Sequence, residues 1–296
     1  TSTIPRKLLV EGMPKSFAKD FMITHFFNPP RYLRLLEIIA GEEVDVDKIE
    51  LITKFCDVNL GKEVVLCNDT PGFIGNRIGT YWTLVGMIEA IKLGLTVEEA
   101  DAMMGRPIGA PKTGVFGLAD VVGLDLIPHV TESMASNLPK KDMYNIEVKE
   151  QEKLGIDQIL SKMIDDGYTG RKGKGGFYRL NEDSGKRVKE SRNLKTGEYS
   201  KATKRVGLES VKAGKKGLRN VVTHKDKGGM YAWKVLSKTL VYAASLVPEI
   251  TDNIVNIDLA MKNGFLWKKG PFEMLDDLGP AWFSSKISED GMEVSN

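Results

Sequence analysis

Short runs of apolar and β-branched residues open the chain. Residues 21–27, 33–39 and 63–67 are each bounded by turn formers, the pattern of buried strands. Between the second and third runs, Asp47-Lys48-Ile49-Glu50 has the form of a capping box. Ile49, Ile52, Cys56 and Leu60 follow at helical spacing, and Gly61 is the stop. Strand, strand, helix, strand is the order expected at the trailing edge of an α/β sheet. About 65 residues of such a sheet cannot bury both faces alone, so the chain reads as a fragment whose N-terminal part is missing.

Beyond residue 68 the pattern turns helical. Thr70-Pro71-Gly72 precedes Ile74, Ile78, Trp82, Val85 and Ile88 on one stripe that ends near Gly94. Thr96-Val97-Glu98-Glu99 is a second capping box and starts a short helix through Met104. Further helices are predicted over residues 116–122 and 156–166, the latter closed by Gly167. A glycine-rich loop from Tyr168 then runs into Phe177 and Tyr178. Residues 181–227 are rich in Lys and Arg and poor in large apolar residues, which predicts a linker or surface excursion. Helical patterning resumes at Met230 and continues to about Leu246.

The helical part also echoes itself. Ala102-Met103-Met104, with Gly114-Val115-Phe116 and Asp120 after it, is matched by Ala260-Met261 with Gly270-Pro271-Phe272 and Asp276. Two helical domains of one type, joined by the basic stretch, would produce this pattern, which suggests duplication and not a solenoid.

Composition narrows the possibilities modestly. Lys and Arg number 42 against 40 Asp and Glu, so overall charge points to no polyanionic partner. Cys56 and Cys67 are too few for a disulfide framework and lack metal-ligand spacing, so no metal site is expected. No apolar run reaches the roughly 20 residues needed to cross a bilayer, and no secretory signal pattern opens the chain. The expectation is a soluble, cytoplasmic protein. The basic stretch from Lys186 to Lys227 holds one aromatic, Tyr199, and no recognisable nucleic-acid fold signature, so nucleic acid is not expected as a partner.

Three histidines make the search for chemistry short. His25 ends the first predicted strand, where open α/β folds gather catalytic groups. Glu37 follows on the next apolar run, isolated among leucines and isoleucines, and a lone carboxylate there is costly unless paired. Paired, the two would be a base and its orienter. The alternative is that Glu37 turns to solvent and His25 merely ends a strand. Asp69-Thr70-Pro71-Gly72-Phe73-Ile74-Gly75-Asn76-Arg77 places Asn76 in the first turns of a helix. Free N–H groups there favour a developing oxyanion, although an ordinary helix start facing water has the same sequence.

Taken in order, T-S-T-I, H-F-F-N-P-P, the Leu-rich strand to Glu37, G-K-x-x-x-x-x-x-D-T-P-G-F-I-x-N-R and K-G-K-G-G-F-Y resemble the 3-hydroxyacyl-CoA dehydrogenase family of fatty-acid β-oxidation. The second G-P-F-E-M copy resembles the tandem helical domains of its longer, multifunctional members. The resemblance implies an α/β remnant, the C-terminal part of a Rossmann-type sheet, followed by mostly α structure. Residues 1–68 would belong to the NAD-binding domain, 69–180 to a first helical domain, 181–227 to the linker and 228–296 to a second helical domain.

It further implies NAD-dependent oxidation of (S)-3-hydroxyacyl-CoA to 3-oxoacyl-CoA. His25 matches the family's catalytic base and Glu37 the carboxylate that orients it. Ser2 and Asn76 match the groups around the substrate oxygens, and Asn28, Lys172 and Ser2 match positions near NAD. Acyl-CoA as substrate and dimerisation through the helical domains are expected on the same ground. Several long members also carry an enoyl-CoA hydratase domain, which leaves that domain open here.

The fingerprint G-x-G-x-x-G does not occur, and Gly173-Lys174-Gly175-Gly176 opens no helix. The expectation is therefore a chain without its NAD-holding half and inactive alone. The end at Glu293-Val294-Ser295-Asn296 reads as a cut as well. The competing expectation is a non-catalytic module for acyl-CoA docking and dimerisation, with His25 and Glu37 as relics.

Overall fold

The computed structural model describes residues 1–182, 187–203 and 205–292; Lys186 and the closing Glu293-Val294-Ser295-Asn296 lie outside them. The chain forms two compact units. One gathers Thr1–Thr80 with Thr239–Asn296, the other is Tyr81–Lys238, and the boundaries fall inside two long helices, Gly75–Lys92 and Lys227–Ser245. These units cut across the four segments expected from the sequence. No described helix is long and apolar enough to cross a membrane.

In the first unit, β1 (Ile23–Phe26), β2 (Leu35–Ile39) and β3 (Glu63–Cys67) form a sheet in that order. β1 runs antiparallel to β2, and β2 parallel to β3. The β2–β3 crossover is the helix Val46–Val58. Its Cys56 and Ile52 pack with Leu36 and Ile38 of β2. Alternate strand residues point to opposite faces, so Leu35, Glu37 and Ile39 look the other way. That face is covered by the helix Ile254–Gly264, which packs on β2 and β3 with Gly264 against Leu35. Every residue of β2 is buried, and each of its leucines and isoleucines contributes roughly 1.5–3 kcal/mol by leaving water.

Two expectations are corrected here. The sheet does not lack cover: its second face is closed by a helix some two hundred residues downstream, so an uncovered face gives no reason to infer a missing N-terminal part. The helix also begins earlier than the capping box at Asp47, with Asp45 at the cap position and no side-chain cap bond. Asp47 instead lies in the first turn, where a carboxylate favours the helix dipole. Two short helices, Arg6–Val10 and Lys15–Asp20, were not foreseen. The buried Arg6 holds them, donating to the carbonyls of Phe21 (2.7 Å) and Ala18 (2.5 Å) and pairing with Glu43 (3.0 Å).

The second unit carries the helices Val97–Met103, Phe116–Val122, Leu126–Asn137, Met143–Lys153 and Ile156–Asp165. The stretch 181–227, expected as a linker or surface excursion, carries strands and helices among its described residues. β4 (Tyr178–Asn181), β5 (Val188–Arg192) and β6 (Tyr199–Lys201) make an antiparallel sheet in that order, followed by the short helices Glu209–Ala213 and Leu218–Val222. Charged cross-strand contacts build this sheet. Arg179 meets Glu190 at 2.7 Å and lies over the Tyr199 ring at 4.1 Å, while Lys189 lies over Tyr178 at 3.8 Å. Lys238 reaches both Glu89 and Glu147 at 2.8 Å, tying three helices together.

The sequence echo has a structural counterpart. Asp101, in Val97–Met103, accepts the backbone N–H groups of Phe116 (2.8 Å) and Gly117 (2.9 Å) at the start of the next helix. Asp258, in Ile254–Gly264, accepts those of Phe272 (2.8 Å) and Glu273 (3.2 Å) in the helix Pro271–Leu278. Gly114 and Gly270 stand where a Cβ would overlap these aspartates, at 2.3 and 2.2 Å from their Cα atoms. In each copy a carboxylate from one helix satisfies the open N–H groups of the next.

Burial pushes the Asp101 carboxyl up to about 7, against the lowering pull of Phe116, Tyr178 and Gly117. A raised folded-state pKa means that protonation favours the folded form. The resulting stability is fully present below the ordinary carboxylate range and is lost as pH rises through about 7. Calorimetry of the wild type and Asp101→Asn at about pH 5 and about pH 8 tests this. The Tm of the wild type is expected to rise relative to the variant as pH falls; an equal difference at both pH values would show that Asp101 does not titrate in this window.

Candidate active site

β1 and β2 set the site by register. His25 and Glu37 are direct partners across the antiparallel pair, so their side chains share one face of the sheet. His25 Nδ1 lies 2.7 Å from Glu37 Oε2, and its Nε2 lies 3.1 Å from Ser2 Oγ. Glu37 is fully buried and His25 is 7% exposed. The other Glu37 oxygen, Oε1, accepts the backbone N–H groups of Ile74 (3.1 Å) and Gly75 (2.7 Å). These groups open the helix Gly75–Lys92, so one Glu37 oxygen satisfies free N–H groups at its start. With Glu37 accepting at Nδ1–H, the imidazole tautomer leaves Nε2 with its lone pair facing the Ser2 hydroxyl.

The turn that aims these N–H groups is strained. Gly72 and Phe73 both have positive φ, 75° and 51°, and for the phenylalanine this costs roughly 1–2 kcal/mol. Phe73 is buried with its ring centroid 5.5 Å from that of His25, and Phe27 meets the imidazole edge-on at 4.7 Å. Phe265, from the second helical copy, lies 6.1 Å beyond Phe27. A Cβ on Gly75 would come within 2.5 Å of the Phe27 ring, so glycine there lets the ring and the N–H group share the space. Cys67 lies beside the pair, and burial, then the Glu37 charge, pushes its thiol well above the usual range.

The structure brings Ser2, His25, Glu37 and Asn76 together. The Asn76 amide donates to the Ser2 carbonyl at 3.1 Å, while the Asp69 carboxylate accepts the N–H groups of Arg6 and Lys7 (2.7 Å for Lys7). The segment bearing Ser2 is thus anchored on both sides. Asn28 is exposed just beyond β1. Lys172 belongs to the second unit and pairs with Asp125 at 2.9 Å. The sequence reading overlooked the N–H groups of Ile74 and Gly75, the Asp69 anchor and the aromatic walls. For the anchor, the signal was the aspartate opening the D-T-P-G-F-I motif; backbone donors carry no side-chain signal. Among the described residues no group of three or more His, Cys, Asp or Glu could hold a metal.

The chain is similar to known proteins along its length. A model of the 3-hydroxyacyl-CoA dehydrogenase NAD binding domain matches residues 1–70, and one of the C-terminal domain matches residues 72–180. A Rickettsia felis protein named putative fatty acid oxidation complex trifunctional enzyme is 40% identical over 276 residues, covering 93% of this chain and 36% of that protein. A Bacillus subtilis probable 3-hydroxyacyl-CoA dehydrogenase is 39% identical over 299 residues, covering 99% of this chain and 36% of its own. The chain thus spans about a third of the length of these relatives. The crystal structure of Escherichia coli 3-hydroxybutyryl-CoA dehydrogenase overlays with a TM-score of 0.63 at 17% identity. It covers 99% of this chain and 71% of that one, a likeness of fold.

The match over residues 1–70 corrects the expectation of a chain without its NAD-binding half. The expectation of inactivity rested on that absence and loses its support with it.

Glu37→Gln tests the orienting contact. Glutamine can still accept from Ile74 and Gly75, but its amide would present N–H to Nδ1 and favour the tautomer protonated at Nε2. Nitrogen NMR of the imidazole is expected to show the Nε2–H form in the variant and Nδ1–H in the wild type. Identical spectra would mean that Glu37 does not set the tautomer.

Proposed function

The chain belongs to the 3-hydroxyacyl-CoA dehydrogenase family, and from that premise we propose that it catalyses NAD-dependent oxidation of (S)-3-hydroxyacyl-CoA to 3-oxoacyl-CoA in fatty-acid oxidation. The observation that carries the proposal is the continuous array from the Ile74 and Gly75 N–H groups through Glu37 and His25 to Ser2. The Rickettsia felis relative, named for a fatty acid oxidation complex, supports the setting.

His25 Nε2 is the base. It takes the proton of the substrate 3-hydroxyl, and Glu37, held by two N–H groups, stabilises the imidazolium that forms. Ser2 Oγ, already within hydrogen-bond distance of Nε2, can turn its donor to the substrate oxygen while the proton leaves. Asn76 positions Ser2 through its carbonyl. NAD, when bound, supplies the acceptor for the hydride leaving C3. Ser2 and Asn28, exposed polar side chains near His25, have the donors and acceptors that suit its nicotinamide end. Phe27 and Phe73 keep water from the inner side of the imidazole.

A docking module alone has no use for this arrangement. The buried Glu37 carboxylate closes the start of the helix with one oxygen and holds His25 Nδ1 with the other, and the second contact is the one a base requires. The two helical copies, each with its aspartate at the next helix start, are proposed to be related domains of the dehydrogenase C-terminal type, with dimerisation through them as part of the same reading.

NADH oxidation with acetoacetyl-CoA tests the proposal. The wild-type chain is expected to turn over, and His25→Ala to lower kcat by about 10²–10⁴ with folding unchanged by circular dichroism. Wild-type protein that is folded and inert, or a His25→Ala variant as fast as the wild type, would reject it.

A further inference from the structure

A cleft of about 730 Å³ opens within the second unit, between the turn holding Lys112 and Thr113, the glycine-rich loop and strands β4 and β5. Five cations line it: Lys112, Arg171, Lys174, Arg179 and Lys189. Arg179 is matched by Glu190, and Lys174 donates to the Asp166 carbonyl at 3.2 Å. Among the described residues, Lys112, Arg171 and Lys189 have no carboxylate within ion-pair distance, and Lys189 rests on the Tyr178 ring.

Two acids also line the cleft, and among the described residues neither forms an ion pair with Lys112, Arg171 or Lys189. Asp101 and Asp120 are buried and already accept pairs of backbone N–H groups, Asp120 from Phe177 and Tyr178 at 2.8 Å each. Burial pushes their carboxyls up to about 7 and about 6, so Asp101 is partly protonated near neutrality, while Asp120, which Arg171 and Lys189 pull back down, keeps most of its charge. Lys189 shows the result. Burial first, then Lys112 and Arg171, hold its ammonium below the ordinary range against the pull of Asp101 and Asp120.

Like charges gathered around a concave surface repel one another until an anion enters. We propose that this cleft binds a phosphate-bearing anion of nucleotide size, held by Lys112, Arg171 and Lys189. Three open cations call for more than the single charge of a carboxylate, and the Arg171 fork matches two phosphate oxygens. The volume falls in the range of roughly 300–1,000 Å³ that takes a small organic ligand. The site lies wholly within residues 81–238 and uses neither His25 nor Glu37, so it stands or falls apart from the dehydrogenase reading.

Calorimetric titration of the whole chain with inorganic pyrophosphate at low ionic strength tests the proposal. Saturable binding is expected, weakened about tenfold or more by Arg171→Ala and by Lys112→Ala, and weakened again by about 0.5 M salt. Lys195→Ala, outside the cleft, is expected to leave it unchanged, and equal Tm values show that the exposed substitutions keep the fold. Competition then separates the sources of the phosphate. Displacement by CoA but not ADP assigns the cleft to CoA, and displacement by both assigns it to a nucleotide diphosphate. Absence of saturable pyrophosphate binding, binding unweakened in both cleft variants, or failure of both CoA and ADP to compete would overturn the proposal.

Discussion

A fully buried carboxylate has to be hydrogen-bonded on every side, and Glu37 imposes that demand on the first unit. One oxygen meets His25 across the β1–β2 register; the other takes two backbone N–H groups from the start of a helix. An ionised group left alone in such a place would cost several kcal/mol. The strained Gly72–Phe73 turn, the glycine that admits the Phe27 ring and the antiparallel pairing of β1 are therefore linked features. Each exists in the form that keeps Glu37 satisfied and, through it, His25 oriented.

The same device recurs at lower stakes in the helical parts. Asp101, Asp120 and Asp258 are buried aspartates whose oxygens accept backbone N–H groups at a helix start or along the glycine-rich loop. A carboxylate accepts two such bonds with one side chain, so it is an economical way to close the open end of a helix. Its cost is desolvation, which is visible in the raised carboxyls of all three. In the second unit Asp101 and Asp120, saturated by backbone donors, form no ion pair with Lys112, Arg171 or Lys189 among the described residues.

Family membership and the geometry at His25 rest on different observations. The family models cover residues 1–70 and 72–180. The hydrogen-bond array at His25 would suggest a general base even without them. Beyond residue 180 the family models say nothing, and there the fold itself provides the link. Phe265, from the second helical copy, packs on Phe27 beside the histidine, so the late part of the chain belongs to the support of the site.

Much of this was legible in the sequence. The three strands, the helix from Gly75 with its buried stripe, the echo of the two helical copies and the residues His25, Glu37, Ser2 and Asn76 could all be read from spacing, motif and resemblance. Local patterns carry such features because burial on one face dictates hydropathy along the chain. What escaped has a common cause. The helix Met143–Lys153 buries Tyr144, Asn145, Glu147 and Gln151, a polar set in which Glu147 depends on Lys238 and Asn145 on the carbonyls of Ala135, Leu138 and Pro139. The sheet β4–β6 replaces apolar burial with Arg–Glu and cation–aromatic contacts, so its sequence reads as a solvated linker. Cover for the second face of the first sheet comes from a helix far along the chain, which no window of sequence displays. The sequence by itself determined which residues must leave water and which motif bears the histidine that Glu37 holds. Only the tertiary structure decided which distant partner makes each buried charge tolerable, because that partner's contribution depends on distance in space and not along the chain.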